Sequence, residues 1–142
     1  MGGQPSLIHL LHRASQVAEE RLMRELGGVD VTPRQLAVLA AVDAHQGASQ
    51  TDIVEATGVD RSTVADMVRR LLKRGLVSRK RSKEDARAYA VQLTNAGQRV
   101  LAKADPVMQR VEAELLPAKM RAELVGLLGD LAGKGAREKL PA

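Results

Sequence analysis

The sequence predicts a mainly α fold of the α+β class, with about six helices and one small β unit of two to three strands. Three observations predict it. The 142 residues suit one domain with appended helices. Phe and Trp are absent and Tyr89 is the sole aromatic, so a core must be built from Leu, Val, Ala and Met, aliphatic residues of a kind that favours helices. Apolar residues recur at helical spacing through most of the chain, whereas strand-like patterning is confined to residues 76–93.

From Ser6 to Leu26 a stripe of Leu7, Leu11, Ala14, Ala18 and Leu22, flanked by Leu10 and Val17, predicts a first helix. Gly27 and Gly28 are expected to end it in the left-handed conformation. Thr32, Pro33 and Gln35 form a capping box with proline in the first turn, opening a second helix that runs to about His45. Ser49, with Asp52 three residues on, caps a short third helix that stops at Gly58. Asp60 caps a fourth. There Val64, Met67, Val68, Leu71 and Leu72 share one side, Ser62, Asp66, Arg69 and Lys73 the other, and Thr63 and Arg70 its margin. Two helices joined by a three-residue turn form a helix-turn-helix signature.

Gly75 closes the fourth helix, and Leu76 to Arg79 reads as a short strand whose partner is Tyr89 to Leu93. The polar loop Lys80 to Arg87 between them makes a β-hairpin wing, so residues 31–94 read as a winged helix-turn-helix. Thr94 caps a long helix carrying Val100, Leu101, Ala104, Val107, Met108, Val111 and Leu115, with a kink expected between Ala102 and Pro106. Pro117 begins a last helix with Met120, Leu124, Leu127, Leu128 and Leu131 on one side, and Gly133 to Ala142 reads as a frayed tail. The first helix and the last two are more apolar than a winged helix needs for itself. Residues 1–30 and 95–142 are therefore expected to form a helical dimerisation region.

Apolar residues make up 44% of the chain and charged residues 27%, the balance of a globular protein. With no cysteine, disulfides, Cys-ligated zinc and thiol chemistry are excluded. The longest uncharged apolar run, Leu36 to Val42, is too short for a membrane span or a signal-peptide core, so a cytoplasmic protein without a membrane partner is expected. The net charge is +5 and its distribution is uneven. Between Asp60 and Arg87 ten basic residues face four acids, a segment of +6, while the remainder of the chain is at −1. Such a concentration suits a polyanion, because each phosphate neutralised releases condensed counterions; a solvated basic surface is the plainer alternative.

Three stretches resemble the MarR (multiple antibiotic resistance regulator) family of bacterial transcription factors. Thr32-Pro33-Arg34-Gln35-Leu36-Ala37-Val38-Leu39 is similar to the family's opening of helix two. Gly58 to Val64, followed by Arg70-Leu71 and Lys73-Arg74-Gly75-Leu76-Val77, resembles its recognition helix and first wing strand. Asp85-Ala86-Arg87, Val91-Gln92-Leu93-Thr94 and Gly97 resemble its wing signature. The resemblance implies a homodimer joined through its terminal helices and binding a pseudo-palindromic operator in double-stranded DNA. It also implies repression in most relatives, with release in many when a small, often anionic or aromatic effector enters between the dimer layer and the winged helix. A single aromatic residue leaves no side chains here for a stacking pocket.

The candidate DNA-facing residues follow from position. Ser62 and Thr63 stand in the first turn of the recognition helix, where hydroxyls meet base edges or phosphates, with capping as the plainer role. Asp66 and Arg69 are one turn apart and pair with each other or read bases; family members often place a basic residue at 66 and an acid nearer 69. Arg70 carries a fork that fits guanine O6 and N7. Arg61 and Lys73 extend the basic face. Gln50 and Thr51 begin the preceding helix, whose amides suit a phosphate. On the wing, Lys80, Arg81 and Lys83 suit phosphates, Arg87 matches the family arginine that enters the minor groove, and Asp85 orients it. His9 and His12, one turn apart on the first helix, and Gln16 beyond them are candidates for effector contact, against a structural or interface role for the histidines. Neither a metal nor a cofactor is expected. There is no phosphate-cradling glycine motif, H-E-x-x-H or nucleophile elbow, so an enzyme is not expected. The rival readings are a winged helix used for protein interaction, which does not require basic residues concentrated on recognition helix and wing, and an activator or effector-independent DNA binder.

Overall fold

A computed structural model describes residues 3–45, 47–81 and 89–138. The element order is α1 (Leu7–Glu25), α2 (Pro33–Ala44), α3 (Gln50–Thr57), α4 (Arg61–Lys73), β1 (Val77–Arg81), β2 (Tyr89–Leu93), α5 (Asn95–Leu115) and α6 (Ala118–Glu138). Polar residues just outside the helices fix most of these starts. Ser6, Thr32, Ser49, Asp60 and Thr94 each accept a hydrogen bond from a first-turn amide, and Thr32–Gln35 and Ser49–Asp52 close reciprocal capping boxes.

The core is aliphatic. Leu36, Val38, Leu39 and Val42 of α2, Ile53 of α3, Val64, Val68 and Leu71 of α4 and Val91 of β2 are all shut away from solvent. Each such side chain contributes about 1.5–3 kcal/mol relative to leaving it in water. Leu26 at the end of α1 and Ala104 of α5 join this cluster, so the winged helix and the long helices share one interior. Val111 is buried where α5 meets α1, and the pairs Arg21–Glu114 and Arg110–Glu25 tie those two helices together.

β1 and β2 form an antiparallel hairpin in which Val77 faces Leu93 and Arg81 faces Tyr89. Among the described residues the expected two to three strands resolve as two, extended by a single bridge in which the Val91 amide donates to the Ala48 carbonyl at 2.8 Å. β1 starts at Val77 rather than Leu76 because the Leu76 amide is spent on the helix end. It donates to Leu71, and Gly75 (φ 70°) donates to Leu72, both at 3.0 Å, which is a Schellman closure of α4.

Two expected helix ends differ. Gly27 and Gly28 do not take up the left-handed conformation; the cap of α1 is Leu26, at φ −76°, whose carbonyl accepts from Val29. Burial of Leu26 sets where the helix stops. The tail expected to fray at Gly133 instead continues α6 to Glu138, since a glycine inside a helix costs only about 1 kcal/mol against alanine. α5 runs through Pro106 as one helix, losing the bond that the Ala102 carbonyl would have accepted.

Candidate nucleic-acid interface

Gly58, left-handed at φ 70°, ends α3 and turns the chain into Asp60, which caps α4. The apolar side of α4 is sunk into the core through Val64, Val68 and Leu71. Arg61, Ser62, Arg69, Arg70 and Lys73 therefore stand exposed on the other side, with Thr63 and Asp66 half-buried.

Asp60 holds both hydroxyls of the first turn. Ser62 Oγ and Thr63 Oγ1 each donate to its carboxylate at 2.7 Å, and the Thr63 amide donates at 3.0 Å. These bonds, the Ser62 hydroxyl's first, push the Asp60 carboxyl well below the usual carboxylate range. With their protons committed to an acceptor, Ser62 and Thr63 present only lone pairs outward. They suit the amino groups of cytosine and adenine in the major groove rather than phosphate oxygens.

One turn on, Asp66 binds two arginines at once. Its Oδ1 accepts from Arg69 Nη2 at 3.1 Å, and its Oδ2 lies 3.0 Å from Arg70 Nε as an ion pair. The pair expected between Asp66 and Arg69 is thus present, with Arg70 as a second partner.

At the other end of α4, Arg61 Nη2 donates to Thr51 Oγ1 at 2.9 Å, joining the start of the recognition helix to the first turn of α3. Beside this bond lies a cleft of about 310 Å³ lined by Ser49, Gln50, Thr51, Arg61, Arg79, Tyr89 and Val91. Arg79 sits over the Tyr89 ring, 5.5 Å from its centroid, a cation–π contact across the hairpin. Two guanidinium groups and the amide end of a helix converge on one cleft. That combination suits a phosphate. Lys80 and Arg81 are exposed on β1, while Lys83, Asp85 and Arg87 lie outside the described residues.

The same residues link this chain to known proteins. Residues 29–88 match the family model described as MarR family. Over 108 residues the chain is 36% identical to the transcriptional regulator HosA of Escherichia coli, a match spanning 76% of this chain and 78% of that protein. The chain belongs to the MarR family. Its fold is similar to that of the transcriptional repressor CouR bound to a 23-mer DNA duplex, with TM-score 0.81 and 32% identity over 89% of this chain and 92% of that one. It is also similar to BpsR of Bordetella bronchiseptica, whose DNA binding is regulated by 6-hydroxynicotinic acid, with TM-score 0.83 and 26% identity over 92% and 98% of the two chains. Together with the family match, the six helices and two-stranded wing among the described residues make this a winged-helix transcriptional regulator of the MarR type.

Between the winged helix and the long helices of this MarR-family chain, α2 and α5 border a pocket of about 570 Å³ that is open to solvent. Its wall includes Leu36, Ala37, Ala40, Leu101 and Met108, and the charged residues among its described lining, Asp43 and Asp105, are both acidic. His9, His12 and Gln16 are exposed on α1 and do not line it. Among the described residues no group of three or more His, Asp or Glu side chains stands where it could hold a metal ion, and no helix is long and apolar enough to cross a membrane.

Sequence reasoning counted Arg79 and Tyr89 only as charge and strand. The signal was the register: Arg79 opposes Val91, which makes Tyr89 its diagonal neighbour on the same face. The cavity was foreshadowed by Ala37, Ala40 and Ala44, small residues at helical spacing on the solvent side of α2.

Proposed function

We propose that this MarR-family regulator is a cytoplasmic, homodimeric repressor that grips a pseudo-palindromic DNA operator and releases it when a small molecule enters the α2–α5 cavity. In this reading residues 31–94 bind DNA and residues 1–30 and 95–142 pair the protomers. One observation carries the DNA side: Arg61, Arg69, Arg70, Lys73, Arg79, Lys80 and Arg81 are all exposed while the apolar face between them is buried. The excess charge is therefore turned outward, where phosphates are. CouR, of similar fold, is seen on a DNA duplex.

Exposed apolar surface supports the dimer. Ile8 on α1 is 82% exposed and Leu127 on α6 is 67% exposed, and Met120, Leu124, Val125, Leu128 and Leu131 are exposed along α6 as well. A contiguous apolar face of that length marks an interface, and an obligate one buries well over ~1,000 Å². The effector site is supported by the cavity itself, which lies between the two parts of the chain. Carboxylates at Asp43 and Asp105 disfavour an anion there, so the effector is a neutral or cationic compound, unlike the 6-hydroxynicotinic acid that regulates BpsR.

Titrating the full chain into labelled duplex DNA of random sequence at rising salt tests the DNA side. Affinity should fall steeply with salt, with a log–log slope reflecting several phosphates; a salt-independent or undetectable interaction would defeat the proposal.

A further inference from the structure

We propose that Asp66 is a positioning residue for base recognition: it holds Arg70 by the root of its guanidinium so that the outer fork is presented to a guanine. The inference rests on the reading of α4 as the helix that enters the major groove. Arg70 meets Asp66 through Nε, at 3.0 Å and across one helical turn. A carboxylate paired at the Nε side leaves the outer fork, formed by the two Nη groups, open, and that fork matches guanine O6 and N7. Arg69 meets the other carboxylate oxygen through Nη2, at 3.1 Å. Its own fork is therefore already engaged by the acid. One carboxylate thus distinguishes two neighbouring arginines, one poised to read and one held back.

Stability is not what these pairs provide. The Asp66 side chain is 46% exposed and those of Arg69 and Arg70 are 67% and 69% exposed, and ion pairs in such surroundings contribute little. Their effect is on conformation. A free arginine samples many rotamers and must lose that freedom on binding, whereas one already braced arrives with part of the cost removed. The carboxylate also separates two like charges that would otherwise repel at adjacent positions. Its presence has an opposite effect on phosphates, because an anion in the middle of a cationic face weakens non-specific attraction to DNA.

These two effects give the test its signature. The full-length protein is used to select duplexes from a random-core library, and each variant is then titrated against the selected duplex, its single-base substitutions and an unselected duplex. The parent should enrich a guanine at one fixed position of each half-site, and Arg70→Ala should lose it. Asp66→Ala should lower the preference for that guanine roughly tenfold while binding the unselected duplex more tightly than the parent. Asp66→Glu, which still spans one helical turn with a carboxylate, should keep the preference. A guanine preference retained by Asp66→Ala, or lost equally by Asp66→Glu, overturns the proposal alone. A parent chain that enriches no sequence defeats the DNA-binding reading and this inference together.

Discussion

A methyl group at Gly97 would stand 2.1 Å from the Leu76 carbonyl oxygen. The first turn of α5 therefore lies against the chain where α4 passes into the wing, an approach open only to a residue without a side chain. The Thr94 amide donates to that same Leu76 carbonyl at 3.2 Å, and the Thr94 hydroxyl donates to Gly75 at 2.6 Å. Wing and long helix are locked at this point.

Gly97→Ala should accordingly destabilise the fold by about 1–3 kcal/mol, despite the better helix propensity of alanine. Denaturant unfolding of the parent and variant checks this, and equal midpoints would mean that the close approach is relieved without strain.

Much of this architecture was legible in the sequence because its determinants are local. Thr32-Pro33 with Gln35, Ser49 with Asp52, and Asp60 announce helix starts through bonds made within three residues, and the structure has all of them. Gly58 and Gly75 likewise mark turns that need positive φ. Gly27 and Gly28 carried the same signal and were misleading, because burial of Leu26 in the shared core decided the end of α1. The candidate site was legible as composition and face, not as contacts. Nothing in the order of residues shows that Asp60 accepts hydrogen bonds from both the Ser62 and the Thr63 hydroxyls, or that Arg79 folds over Tyr89; those follow from rotamers and from strand register.

Asp60 gives a pH signature. Its carboxyl is held below the ordinary value of 3.8, mainly by the Ser62 and Thr63 hydroxyls. A depressed folded value means that the contribution is complete above the unfolded value, hence at neutral pH, and is lost as pH falls through the folded value. Asp60→Asn cannot titrate. The stability difference between parent and Asp60→Asn, measured by urea unfolding from pH 7 downward, should be constant to about pH 5 and shrink below about pH 4; a difference that did not change with pH would contradict the assignment.

The cleft between α3, α4 and the wing predicts a contact with charge but no sequence information. Arg61→Ala and Arg79→Ala should each reduce the salt slope of DNA binding by about one unit and leave base preference unchanged. Slopes equal to the parent's would place the phosphates elsewhere.

For the apolar face of α6, Leu127→Glu places a charge where Leu127 is 67% exposed in the protomer. Buried in a dimer, that charge has no described partner and should split the assembly. Sedimentation at micromolar concentration should give a dimer for the parent and a monomer for the variant, and a variant that remains dimeric would exclude this face from the interface.

The central claim is that two copies of this winged helix read two half-sites of one duplex, and hydroxyl-radical footprinting of the full chain on a selected duplex tests it most directly. The account predicts a twofold-symmetric footprint with half-site centres about one helical turn, roughly 10 bp, apart. A single asymmetric half-site saturating one dimer would contradict it.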